Sequence, residues 1–162
     1  MRKFKTYLAG AFCPYDKYKD WRDFVSKKLD NPKIELIDPR YSSNQLCPAT
    51  FTIDDMQKGV LISDILFHYR TRGHEDEGGS WEPGGAFAYN LLQQRGLIRA
   101  EKKLIIYADD TAVPFPLHFA SANVTFNSLE TAVEFLNSLD SFDKSGFMQN
   151  WMSLLNKERA GI

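Results

Sequence analysis

The sequence predicts an α/β fold: one domain with a five-stranded, mostly parallel sheet flanked by helices. Short strand-like runs rich in Ile, Leu, Val, Tyr and Phe alternate with stretches of helical period along the chain, the pattern of βαβ units around a parallel sheet. At 162 residues the chain is long enough to bury one core without disulfides or a structural metal. No repeat, low-complexity tract or linker divides it.

Residues 5–9 predict the first strand, ending at Gly10. Over 18–29, Trp21, Phe24, Val25 and Leu29 share one helical face while Lys19, Arg22, Asp23 and Lys27 fall largely elsewhere, which makes this the first crossover helix. Residues 34–37 form a second strand, stopped at Asp38-Pro39 because proline removes a ladder donor and restricts the residue before it. Ser42, Ser43, Asn44 and Pro48 then predict a loop. Residues 52–62 carry Ile53, Met56, Val60 and Leu61 at helical spacing, although Gly59 weakens that helix by about 1 kcal/mol. Residues 65–69 are the third strand, and 70–79 a polar, glycine-containing loop. Ser80 caps a helix over 81–97, with Pro83 tolerated in its first turn. Residues 104–108 and 124–126 complete the strands. Asn127 with Glu130 predicts the cap of a last crossover helix carrying Leu129, Val133, Phe135 and Leu136. Phe147, Trp151, Leu154 and Leu155 predict an extra C-terminal helix within 140–162. The whole corresponds to a flavodoxin-like or Rossmann-like sheet.

Composition narrows the function. With 20 basic and 21 acidic side chains dispersed along the chain, nothing marks a phosphate-backbone footprint, so polymeric nucleic acid is not an expected partner. No apolar run is long enough to cross a bilayer, and the start MRKFKTYLAG lacks signal-peptide logic, so the expectation is a soluble cytoplasmic protein without membrane association. Cys13 and Cys47 lie far apart without a CxxC partner and are expected as thiols. No GxGxxG or GxxxxGK[ST] cradles phosphates, which favours a neutral or weakly charged ligand. His74, Glu75 and Asp76 are adjacent and do not present the geometry of a metal-ligand set, and no cofactor is implied.

In an open α/β sheet, ligands sit outside the carboxyl ends of the strands, where the winding reverses. Gly10 to Phe12, Asp64 and the loop 73–79 leading into Glu82 are expected to converge there. Glu82 falls in the first turn of its helix, where the positive end of the macrodipole favours an ionised carboxylate; acids also occupy first turns simply as caps. Asp76 precedes it in GHEDEGGS, where Gly78 and Gly79 let the backbone approach a ligand; an acidic loop is also often just solvated. Asp64 serves equally as a turn residue. Trp81 and Phe12 suit stacking on a base, or a core.

YLAGAF at 7–12, Asn44-Gln45, SDILF at 63–67, RGHEDEGGSWEPGGAFAYN at 72–90 and TFNSLETAVEFL at 125–136 together resemble the nucleoside 2-deoxyribosyltransferases. The most specific match is D-x-G-x-x-x-E-x-G, here Asp76, Gly78, Glu82 and Gly84. The resemblance implies transfer of a 2-deoxyribosyl group between nucleobases, with Glu82 as nucleophile and Asp76 positioning the substrate. It also implies that Tyr7 orients Glu82, that Asp64 assists protonation or recognition of the base, and that Gln45 contacts the base edge. The partners implied are a deoxynucleoside and a free nucleobase, in a homo-oligomer whose neighbouring subunit completes the site with an Asn-Leu-Met segment. Here the matching stretch is Pro116-Leu117-His118, which lacks the amide; His118 either replaces it, meets a 5′-phosphate, or is structural. Two alternatives stand beside transfer: hydrolysis of a deoxynucleoside or its 5′-monophosphate, and a non-catalytic nucleoside- or nucleotide-binding module.

Overall fold

The computed structural model describes residues 3–11, 20–43, 47–70, 81–111 and 116–139. Five strands, β1 (Phe4–Ala9), β2 (Ile34–Ile37), β3 (Ile65–Arg70), β4 (Leu104–Asp109) and β5 (Val124–Phe126), pair in the order β2-β1-β3-β4-β5. Every pairing is parallel, so the expected mostly parallel sheet is wholly parallel. This is the flavodoxin-like order, whose winding reverses between β1 and β3 and opens a crevice at their carboxyl ends.

Register sets out the site row by row. Tyr7 lies beside Ile37 on one side and Leu66 on the other, and Leu66 beside Ile105. The next row toward the carboxyl edge is Ala9, His68 and Tyr107. Because side chains alternate across a strand, Tyr7, Leu66, Ile105 and Tyr107 share one face while Leu8, Phe67 and Ile106 share the other. The second face packs on α1 (Trp21–Lys28) and α6 (Leu129–Ser138) through Trp21, Val25, Leu129, Val133 and Leu136. Trp21 anchors it, with ring centroids 5.4 Å from Tyr69 and 6.2 Å from Phe67. The first face meets Val60 and Ala86 and carries the candidate site.

The helices depart from expectation in instructive ways. In α1, Asp20 is the N-cap, its carboxylate accepting from the Arg22 N–H at 3.1 Å. Arg22, expected away from the apolar face, is buried. Asp38-Pro39 ends β2 and at once starts a turn of helix, α2 (Pro39–Ser42), capped by Asp38 onto the Arg40 N–H at 3.0 Å. Next, α3 (Pro48–Asp54) runs straight into a π-helical segment, Asp55–Val60, closed by the Leu61 N–H donating to Met56 O at 2.8 Å. The wider turn rotates the face: Asp55, Gly59 and Val60 are buried, while Ile53 and Leu61, expected inside, are exposed.

The next helix, α4 (Trp81–Gln94), stops short of 97 because Gly96, at φ +71°, supplies a left-handed cap. Gly96 N–H donates to Gln93 O at 3.0 Å and Leu97 N–H to Leu92 O at 2.9 Å, the paired bonds of a Schellman motif. A short α5 (Pro116–Ser121), not foreseen from the sequence, precedes β5. The cap of α6 is Ser128, whose Oγ accepts from the Thr131 N–H at 3.2 Å, rather than Asn127. The helix expected within 140–162 lies outside the described residues. Among the described residues no helix is long and apolar enough to cross a membrane.

Candidate active site

Glu82 is the second residue of α4, which starts on the carboxyl side of β3, so its carboxylate lies in the first turn at the positive end of the helix. Only 9% of its surface is exposed. The Tyr7 hydroxyl, from the middle of β1, donates to Glu82 Oε1 at 2.7 Å across 75 residues of sequence. A buried carboxylate needs such a donor, since taking an ion from water without one is costly. Burial, with the nearby charges of Glu82 and Asp55, holds the Tyr7 phenol well above its ordinary range. It therefore keeps its proton and serves as a donor, not as a base.

Asp55 was not foreseen. It opens the π-helical segment, is 7% exposed and makes a hydrogen bond with the same phenol, so the Tyr7 hydroxyl lies between two carboxyl groups. Gly59, one turn further, allows this: a Cβ built there would lie 2.3 Å from Tyr7 Cε2 and 2.7 Å from Cζ, so the ring fits only against bare backbone. The signal available in the sequence was an acid, Asp55, four residues before a glycine inside an otherwise apolar helix. A regular 3.6-residue period hid it.

Gly10 closes β1 at the same edge. Its φ of +135° and the 2.4 Å between a built Cβ and Tyr69 O exclude any side chain, so the turn after β1 presses directly on the end of β3. Trp21 Nε1 donates to Ala11 O at 3.1 Å beneath it.

Asp64 is a correction. It precedes β3, which in a parallel sheet places it at the amino edge, away from the carboxyl ends where Gly10 lies and α4 begins. Its carboxylate accepts from the Lys5 N–H at 2.9 Å, its own N–H donates to Lys5 O at 2.8 Å and its carbonyl accepts from Leu104 N–H at 3.0 Å. It stitches three strand starts together. Trp81, at 59% exposure, stands on the surface at the head of α4. His118 turns inward instead: it is buried, its ring edge-on to His68 at 4.5 Å and to Tyr107 at 5.4 Å. Phe12, Gln45, Asp76, Gly78 and Gly79 lie outside the described residues.

Beside this cluster, a cavity of about 630 Å³ opens at the ends of β4 and β5, lined by Tyr107, Asp109, Thr111, Phe119, Thr125 and Asn127 among others. That is ligand-sized. Burial opposes ionisation of Asp109, yet bonds from the Thr111 and Tyr107 hydroxyls and the Thr111 N–H, together with the Arg70 charge, hold its carboxyl below the usual range. No family model matches this chain and no curated protein does, so what the site can do must be inferred from its own side chains.

Proposed function

We propose that this chain is a glycosyl-transferring enzyme of the nucleoside 2-deoxyribosyltransferase type, with Glu82 as its nucleophile. The observation that carries this reading is the buried Tyr7–Glu82 hydrogen bond at the point where the sheet reverses its winding. The phenol engages Oε1 and fixes the plane of the carboxylate, one oxygen of which makes the attack. That oxygen forms a bond to the anomeric carbon of a 2-deoxyribonucleoside as the N-glycosidic bond breaks and its electron pair leaves with the base. In this reading Asp55, which interacts with the Tyr7 phenol, takes the role expected of Asp64: it gives a proton to the departing base and recovers one from the incoming base. A second base then attacks the glycosyl-glutamate and regenerates Glu82, with overall retention and ping-pong kinetics. Trp81, at the exposed head of α4, offers a face for the base to stack on.

Trapping tests this. A 2-fluoro-2-deoxy-arabinosyl nucleoside is expected to leave a stable adduct on the peptide containing Glu82, seen by mass, and none in Glu82→Gln. Absence of an adduct, together with no base exchange for any deoxynucleoside and free-base pair, refutes the proposal.

A hydrolytic variant is favoured by one feature. Pro116-Leu117-His118 lacks the amide of the family's Asn-Leu-Met segment, and His118 is buried against its own sheet. Water then competes for the intermediate, and base is released without an acceptor. A chain that binds nucleosides without turnover would instead retain its affinity in Glu82→Ala while the wild type yields no product.

A further inference from the structure

Arg22 takes no part in the chemistry above, yet it is 1% exposed. Buried arginines ordinarily meet a carboxylate fork to fork. This one spends its donors on main chain: Nε to Leu8 O at 3.3 Å, Nη1 to Ala11 O at 3.2 Å and Nη2 to Gly10 O at 2.5 Å. Its guanidinium carbon lies 4.4 Å from the centre of the Trp21 ring. Three carbonyls, one from the end of β1 and two from the turn after it, thus converge on a single cation, and that turn is hemmed in where Gly10 abuts Tyr69 O. Peptide planarity supplies a consequence: with the Gly10 carbonyl aimed at Arg22, the Ala11 N–H faces the opposite way.

Asp38, at 4.0 Å from Arg22, shares its carboxylate with Arg40, whose Nη2 lies 2.6 Å from Asp38 Oδ2 and which also pairs with Asp20 at 2.7 Å. Arg22 also interacts electrostatically with Glu82 and Tyr7. Among the described residues, Asp55 from the π-helical segment, His68 from β3 and His118 from α5 also lie near the Tyr7 face of the sheet.

We propose that Arg22 is a positioning residue of the Glu82 site, clamping the turn after β1 and holding a fixed positive charge behind the Tyr7–Glu82 pair. The proposal rests on the glycosyl-transfer function proposed above. Its role in turnover is to keep the nucleophile ionised and the turn that borders the substrate in one shape.

The test compares Arg22→Gln with Arg22→Lys in the full chain, folding being checked by near-ultraviolet circular dichroism. The acid limb of the kcat/KM profile follows ionisation of the attacking carboxylate, and in Arg22→Gln it should move to higher pH by about half a unit or more. Arg22→Lys, which keeps the charge and loses the fork, should keep the limb in place and raise KM. The carboxyl resonance of Glu82 in protein labelled with 13C-glutamate, assigned by its loss in Glu82→Gln, should titrate in the same sense as the limb. A folded Arg22→Gln whose limb and resonance both coincide with wild type overturns the proposal. Should Arg22→Gln not fold, Asp38→Asn removes the acid beside Arg22 and should move both readouts to lower pH; no movement overturns it equally. A wild type without turnover on any deoxynucleoside sinks the proposed function, and the resonance alone then decides the role of Arg22.

Discussion

A phenol has one proton to give, and Tyr7 stands between two carboxyl groups. The 2.7 Å bond commits that proton to Glu82, so the two carboxyl groups do not share the donor equally. This division of labour separates the two acids by experiment. Tyr7→Phe keeps the ring and deletes the donor, leaving a buried carboxylate oxygen short of a bond worth about 1.5–3 kcal/mol, so kcat should fall about 10- to 100-fold with KM little changed. Asp55→Asn keeps shape and hydrogen bonding but has no proton to deliver. Its loss should be large with a poor leaving group such as an unactivated purine and small with a nucleoside whose base departs readily without protonation. Equal losses on both substrates would remove Asp55 from the role of acid, and a Tyr7→Phe enzyme with wild-type kcat would remove Tyr7 from orienting Glu82.

At the scale of elements, the π-helical segment decides whether Tyr7 can sit where it does. Gly59→Ala places a methyl 2.3 Å from the Tyr7 ring, and the cost of overpacking should be about 1–3 kcal/mol in urea unfolding, accompanied by loss of kcat as the phenol leaves Glu82. Gly84→Ala is the matched control in α4: nothing lies within 4 Å of its built Cβ, so the substitution should stabilise by about 0.5–1 kcal/mol. If both glycines respond alike, the steric account of Gly59 is wrong. This segment also shows what the sequence can and cannot disclose. β2 and β5 were legible to the residue because apolar residues bounded by Asp38-Pro39 or Asn127-Ser128 have few other solutions. A regular helical period put Ile53 and Leu61 inside and left Asp55 out; one inserted residue in the turn reverses that, and no local pattern announces it. α2 and α5 are shorter than two turns and carry no period to detect. The contact between Tyr7 and Glu82 is legible through the resemblance of their motifs, whereas the position of Asp64 follows from the order of elements: a residue that precedes a parallel strand belongs to the amino edge. Arg22 was assigned by charge to the polar face, which overlooks that a guanidinium can be buried on carbonyls.

At the scale of the whole molecule, the two edges of the sheet differ, with Glu82 and its partners toward the carboxyl ends and a structural charge at the amino ends. Lys103, immediately before β4, is buried with its Nζ donating to Leu61 O at 2.9 Å and Ser63 O at 2.5 Å, and it lies 4.4 Å over the Tyr89 ring. Asn90 grips its backbone from both sides, at 2.8 and 2.9 Å, so the side chain has no easy route to solvent. Burial pushes the ammonium down to about 8 against the favourable pull of Asp64. The sign follows from proton counting: between that value and the unfolded 10.5 the unfolded chain binds a proton that the native chain has released. Native stability should therefore rise from pH 8 toward 10, by at most about 1.4 kcal/mol per unit, and the penalty for burying the charged form is fully present below pH 8. Above pH 10 the sense reverses, because the Tyr7 phenol is held above its ordinary 10.0 and only the unfolded chain loses that proton. Urea unfolding of wild type and Lys103→Met at half-unit steps from pH 7.5 to 10 isolates the effect, since every other titrating group cancels in the difference. The wild type should gain on the variant steadily over that range; parallel curves would mean that Lys103 stays charged in the native protein, its two carbonyls and Asp64 outweighing its burial.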